Sequence, residues 1–245
     1  MKVVASIEAR IGSSRLPGKV LMDICGRPAL GRLVDRLRAC SKVDDIVLAT
    51  TVSPRDDVLE SWGESEGLAV FRGSEDDVLE RVVGAQQFMG SDVVVEVTGD
   101  CPLLDPEIID LGVETFFANE CDVVTNARVP SYPQGADVQV FRLSHLKDVA
   151  SRIFDLAVRE HVSLYFYENP TLYRVIHLMA ERSQKSPDLR LQLDYQEDLN
   201  FIREIYSRLM PQYGALFGVR EILKLLEREQ DLLLINAHCE EKALR

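Results

Sequence analysis

Over its first 125 residues the chain alternates short apolar runs with longer amphipathic stretches, and that alternation limits the fold more than any other feature. Residues 3–9, 45–50, 68–71, 93–97 and 121–125 have the length and branched aliphatic content of buried strands. Between them Leu30, Leu33, Val34 and Leu37 recur at helical spacing through Ala39, with Pro28 suited to the first helical position. Helical character returns over 56–65, over 76–88 with Val78, Leu79, Val82 and Val83 on the apolar side, and over 106–118 with Asp105 as the N-cap. The pattern reads β-α-β-α-β-α, which implies an α/β fold with a mostly parallel central sheet flanked by helices.

The alternation breaks after Ala127, where Pro130, Pro133 and Gly135 mark a loop. Residues 138–141 and 171–177 read as strands and 156–167 as a helix, so 128–186 is expected to be an excursion from the main sheet that binds a substrate, pairs with a second copy, or both. Residues 189–194 alternate like a strand and end on Asp194; 197–209 and 219–229 are amphipathic helices, and a frayed tail is expected from Asn236. No repeat, low-complexity tract or flexible linker interrupts the 245 residues, so a single domain is expected.

Chemistry concentrates behind the first strand. Arg10-Ile11-Gly12-Ser13-Ser14-Arg15-Leu16-Pro17-Gly18-Lys19 sets cations, hydroxyls and exposed backbone amides side by side, as a polyphosphate requires. It is not a Walker loop, because Val20 follows the lysine, and no G-x-G-x-x-G appears. The net charge of −12 makes such a basic cluster a local exception and argues against a nucleic-acid partner. No run approaches the roughly 18 apolar residues of a membrane span, and no signal peptide opens the chain, so a cytoplasmic protein is expected. The five cysteines lack C-x-x-C spacing and read as reduced, mostly buried thiols.

Asp100 follows the fourth expected strand, where open parallel sheets place their ligand crevice, and Asp194 ends a later one. Two carboxylates beside a polyphosphate suit Mg²⁺, a hard cation that takes one or two carboxylates plus substrate oxygens. For either aspartate alone, a capping or turn role stands beside the metal role.

Five ordered segments carry a resemblance over about residues 3–206: Arg10 to Lys19; Phe71-Arg72-Gly73-Ser74-Glu75-Asp76-Asp77-Val78-Leu79; Thr98-Gly99-Asp100-Cys101-Pro102-Leu103-Leu104-Asp105-Pro106; Arg159-Glu160-His161-Val162; and Leu193-Asp194-Tyr195-Gln196-Glu197-Asp198-Leu199. Together they resemble the SpsF-like cytidylyltransferases, relatives of the enzymes that make CMP-KDO and CMP-sialic acid. The resemblance implies a Rossmann-like, glycosyltransferase-A-like nucleotidyltransferase that uses CTP and Mg²⁺ to activate a small sugar acceptor, an acidic one by analogy with the wider family. Carried over by position, Arg10, Gly12, Ser13, Ser14, Arg15 and Lys19 would hold the triphosphate, with Arg15, Lys19 and Asp100 catalytic and Asp100 and Asp194 on the metal. Ala9, Arg72, Ser74, Asp77, Thr98 and Gly99 would surround the nucleotide, Ser74 having a helix-capping role as its alternative. Gln134, Asp137 and Gln139 resemble the segment near the sugar, with Arg159 and His161 as further acceptor candidates. Two positions depart from the family pattern: Glu8 stands where Gln is common, and Glu96 where Arg is common. A homodimer formed through 128–186 is also expected.

Overall fold

A computed structural model of the chain describes residues 1–240. Strands β1 (Val3–Glu8), β2 (Asp45–Thr51), β3 (Ala69–Gly73), β4 (Val93–Thr98), β5 (Val123–Thr125), β6 (Gln139–Arg142) and β7 (Val175–His177) form one sheet in the order β3-β2-β1-β4-β6-β5-β7. The first four are parallel neighbours, β6 runs antiparallel to both β4 and β5, and β7 lies parallel to β5. The expected excursion at 128–186 is therefore corrected: it supplies two strands of the sheet, one of them, β6, wedged between β4 and β5.

Alternate residues of β1 and β4 serve two layers. Val3, Ala5, Ile7, Val93, Val95 and Val97 face α1 (Ala29–Arg38), α2 (Asp57–Ser65) and α4 (Pro106–Ala118). Val4 and Val94 turn to the other side, where α3 (Val78–Met89), α5 (Leu143–Arg152), α6 (Leu156–Glu160) and α7 (Leu164–Glu168) pack. A third cluster unites α8 (Gln196–Tyr213) and α9 (Val219–Arg228) with Ile24, Leu103 and Leu189 to Leu193.

Helix starts follow local chemistry. Asp105 Oδ1 accepts from Glu107 N at 2.9 Å with Pro106 at the first helical position, and Asp77 Oδ1 accepts from Glu80 N at 2.9 Å. Pro28 is the N-cap of α1, one position earlier than expected, because its extended backbone (ψ 149°) is not yet helical.

Three segments differ from expectation. Helix α5 is absent from the sequence reading although Leu143, Leu146 and Val149 trace its buried face. The single helix expected over 156–167 is two, broken where His161 is extended (φ −120°, ψ 98°) and branched Val162 follows. Residues 189–194 join no ladder beyond one bridge between Gln134 and Arg190. They lie across two loops instead: Gln134 N donates to Leu189 O at 2.9 Å, Leu191 N to Gln134 O at 2.8 Å, and Leu193 N to Asp100 O at 2.8 Å. Gly135 permits that crossing, since its φ of +89° favours glycine and a Cβ there would stand 2.8 Å from Gln192 N.

Within the expected tail Asn236 departs from the reading, while 241–245 lie outside the described residues. Asn236 is buried, and its amide donates to Arg190 O at 3.3 Å and to Asp198 Oδ1 at 3.0 Å. All five cysteines are free, and Cys40, Cys101 and Cys121 are buried. Among the described residues no helix is long and apolar enough to cross a membrane.

Arg36 ties the layers together: it is fully buried in α1 and donates to Tyr206 Oη at 3.0 Å, Leu104 O at 3.1 Å and Phe217 O at 2.8 Å. Arg36→Met would leave these three acceptors shut away without a donor, at a cost of about 3 kcal/mol. For a chain of this size that is a fall of roughly 6–12 °C in Tm by calorimetry. An unchanged Tm would contradict the stapling role.

Candidate active site

Beyond β1 the chain turns tightly around one carbonyl: Ile11 O accepts from Ser13 N at 2.8 Å and from Gly18 N at 3.1 Å. Ser13 Oγ accepts from Leu16 N at 3.3 Å, and Ile11 N donates to Asp56 Oδ1 at 2.7 Å, so the loop is fastened at both ends. Arg10, Gly12 and Ser14 are exposed on it, with Arg10 3.6 Å from Glu75. The loop delivers Lys19 into a short helical turn (Lys19–Leu21) where the side chain is buried.

Lys19 is the meeting point. Its Nζ lies 2.7 Å from Asp100 Oδ2 and 2.8 Å from Asp194 Oδ1. Arg15 Nη2 reaches the same Asp194 oxygen at 2.6 Å while its guanidinium stacks 5.2 Å from the Tyr195 ring centroid. Three distant pieces of sequence thus share one ionic cluster, with Asp194 only 2% exposed. Burial alone would raise the Asp194 carboxyl, but Lys19, Arg190 and Arg15 outweigh it and hold the group below its ordinary range. Burial would likewise lower the Lys19 ammonium, and Asp100 and Asp194 reverse that and raise it.

Behind Asp194 stand residues that the sequence reading gives no role. Arg190 Nη2 donates to Asp194 Oδ2 at 2.5 Å and its Nε to Asp198 Oδ1 at 3.2 Å. Asp198, fully buried in the first turn of α8, accepts from Asp194 N at 2.9 Å and from Tyr195 N at 3.0 Å. The signal for it is its place in the first helical turn, where a carboxylate meets free N–H groups.

Other candidates sit elsewhere in the fold. Arg72 spends its guanidinium on Thr51 O, Ser53 O, Asp57 and Glu60, away from Lys19. Ser74 Oγ accepts from Asp77 N at 3.0 Å, and Asp77 adds to its capping bond an ion pair of 3.0 Å with Arg159. Arg159 also donates to Ile153 O and Ala150 O, so it fastens α6 to the start of α3. His161 forms the end of α6, its N donating to Ala157 O at 2.8 Å. Gly99 is needed for close approach: its N donates to Glu8 O at 2.8 Å, and a Cβ would come within 2.9 Å of that oxygen and of Ala9 Cβ. Ala9 is buried and Thr98 exposed, Thr98 Oγ1 lying 3.2 Å from Cys101 Sγ.

Of the acceptor candidates, Gln134 pairs through its backbone with 189–191, and Asp137 Oδ2 accepts from Gly135 N at 3.1 Å. Gln139 is enclosed, its Nε2 donating to Glu96 Oε2 and its Oε1 accepting from the Tyr167 hydroxyl.

The two aspartates differ in how much they support. Asp194→Asn leaves Arg15, Lys19 and Arg190 facing a neutral group in a buried setting, which costs about 3–5 kcal/mol. Asp100→Asn leaves Lys19 its bond to Asp194 and costs about 1–3 kcal/mol. Chemical denaturation should rank the variants in that order, and an equally stable Asp194→Asn protein would show the cluster to be structurally idle.

A model of the cytidylyltransferase family matches residues 4–234. The spore coat polysaccharide biosynthesis protein SpsF of Bacillus subtilis is 36% identical over 92% of this chain and 94% of its own. A protein of Methanocaldococcus jannaschii, MJ1063, is 35% identical over 100% of this chain and 98% of its own. The solved structure of a cytidylyltransferase from Leptospira borgpetersenii superposes with a TM-score of 0.89 at 30% identity, covering 95% of this chain and 96% of that one. Fold, ordered motifs and full-length similarity agree, and the chain belongs to the cytidylyltransferase family.

Proposed function

We propose that this chain transfers CMP from CTP to a sugar and releases pyrophosphate, in the cytoplasm and as a step towards surface polysaccharide or glycan. The observation that carries the reading is the convergence of Arg15, Lys19, Asp100 and Asp194 at 2.6–2.8 Å, with an exposed basic loop leading into it. In this reading an acceptor oxygen attacks the α-phosphorus, the bond to the β-phosphate oxygen breaks, and pyrophosphate departs on the opposite side.

The protein's task is to align the two ends and balance charge. Arg10, Ser13, Ser14 and the backbone at Gly12 receive the outer phosphates; Arg15 and Lys19 stabilise charge on the departing pyrophosphate. Asp100 Oδ2 and Asp194 Oδ1 both turn to Lys19 Nζ, so a cation held by this pair displaces that ammonium toward the phosphates; carboxylate oxygens are donors of the hard kind that Mg²⁺ prefers. Those two residues would hold the ion, which when bound polarises phosphate oxygens and offsets their charge. Thr98 and Gly99 flank this point at the end of β4. The acceptor, a sugar acid of the ulosonic or nonulosonic type by family analogy, takes the side of Gln134, Asp137 and His161. Phe154, Leu156 and Leu172, which are 76%, 85% and 64% exposed, favour a homodimer through this segment.

Thermal unfolding with CTP, UTP, ATP and GTP, each with and without Mg²⁺, tests the nucleotide. A ligand at 100 times its dissociation constant adds about 2.7 kcal/mol, or roughly 5–10 °C here. CTP should give the largest, Mg²⁺-enhanced shift. Preference for another nucleotide would instead mark a sugar nucleotide pyrophosphorylase with that specificity, and no shift with any would mark a chain without nucleotide turnover. In a pyrophosphate-release assay against a panel of sugar acids, Asp100→Asn and Lys19→Met should each lower turnover by about 100-fold or more. Near-normal turnover of Asp100→Asn at saturating Mg²⁺ would remove that residue from the metal.

A further inference from the structure

The two departures from the family pattern meet in space. Parallel register pairs Ser6 with Glu96 and Glu8 with Thr98, so Glu8 and Glu96 occupy diagonal positions on one face of the sheet. Glu96 is 7% exposed and Glu8 half-buried. Diagonal neighbours on adjacent strands stand about 7–8 Å apart, within reach of two side chains as long as glutamate. Ser6 Oγ donates to Glu8 Oε1 at 3.2 Å, while Glu8 Oε2 is shut away from solvent without a partner.

From Glu96 the contacts continue outward. Gln139, directly opposite on β6, gives its Nε2 to Glu96 and its Oε1 to the Tyr167 hydroxyl, which lies 2.9 Å from Thr125 Oγ1. An amide has one donating and one accepting end, so a carboxylate at Glu96 fixes which way Gln139 faces and therefore what the phenol must donate to. The charged groups facing the pair are few. Arg81 of α3 attracts Glu8 and Asp137, in the loop before β6, repels Glu96; β1 offers Ser6, β5 Thr125 and α7 Tyr167.

Two buried carboxyl groups side by side on neighbouring strands, with no cation among the described residues bonded to either, do not both ionise. We propose that Glu8 and Glu96 are a positioning pair that holds one proton between them and, through Gln139, fixes the Tyr167 hydroxyl beside the acceptor side of the site. The acceptor side rests on the functional reading above; the proton-sharing contact does not. Burial and the neighbouring Glu96 push the Glu8 carboxyl well above its ordinary 4.5, and burial brings Glu96 to about 7. Glu8 is then the donor and Glu96 the acceptor at neutral pH. As pH rises through about 7 Glu96 ionises and gives Gln139 Nε2 a carboxylate to donate to; below that, a protonated Glu96 no longer fixes the orientation of Gln139.

The sign of the linkage is fixed. Both groups have higher affinity for protons in the folded chain than in the unfolded one, so their contribution to stability is full below pH 4.5 and fades as pH rises through about 7. Glu8→Gln keeps a neutral donor against Glu96 and removes the penalty.

The experiment uses the full chain without ligands. Infrared difference spectra between pH 5 and 9 should show a protonated, buried carboxyl at pH 7 that disappears at higher pH and is missing from Glu8→Gln. The Tyr167 ring resonance, assigned by its loss in Tyr167→Phe, should move along the same titration and stand still in Glu96→Gln. The Tm of Glu8→Gln should gain on the wild type from pH 5 to pH 8. Absence of the carboxyl band at pH 7, or a Tyr167 resonance indifferent to pH over this range, overturns the proposal. With a sugar acid that supports turnover, its KM should rise about tenfold per pH unit below the titration while the KM for CTP does not follow. A CTP shift without the infrared band would defeat the pair alone, and the band without any nucleotide shift would defeat the functional reading alone.

Discussion

A lysine ammonium held between two carboxylates is what the rest of this site is built around. Taking Lys19, Asp100 and Asp194 out of water is expensive, and their mutual attraction offsets that only if every remaining oxygen and N–H is also engaged. The neighbours supply most of this, although Arg190 Nη1 is buried without a partner among the described residues: Arg15 and Arg190 take the oxygens of Asp194, Asp198 takes the backbone N–H of Asp194 and the guanidinium of Arg190, and Asn236 closes the chain on Asp198 and the Arg190 carbonyl. A loop after β1, a turn after β4, a non-ladder segment and Asn236 are thereby locked into one arrangement. The sheet brings the first two together; charge brings the others to them.

The site carries two opposite electrostatic devices. In one, cations hold a carboxyl ionised, so its contribution is present above the ordinary aspartate value of 3.8 and fades on acidification. In the other, two carboxyls crowd each other and retain a proton, so theirs fades as pH climbs through about 7. Together they favour the folded chain between these limits. The separation is spatial as well: the first lies under the phosphate-facing loop, and the second one strand face away, against α3 and α7.

Much of this was legible in the sequence because it is written locally. Strands β1, β2 and β4 declare themselves by apolar, branched runs, α4 by Asp105-Pro106, and the nearness of the basic loop to Asp100 by the ends of β1 and β4, which a parallel sheet places on one edge; Asp194 joins them from a segment that is not a strand. What was not legible depends on partners far along the chain. Residues 189–194 alternate like a strand, yet their backbone is satisfied by Gln134 and Asp100 rather than by a ladder. Arg72, Asp77 and Arg159 have side chains apt for a nucleotide or a sugar, but α2, α3 and α6 use them as internal fasteners. Charge on a sequence shows that a group needs a partner without showing which one.

The contact between Lys19 and Asp194 joins residues 175 positions apart. During synthesis, the basic loop and the first four strands leave the ribosome long before the carboxylate that neutralises them. Until then Lys19 has only Asp100, and Arg15 lacks its carboxylate. An amino-terminal piece that stops short of Asp194 cannot contain the ionic cluster, however well its strands are paired.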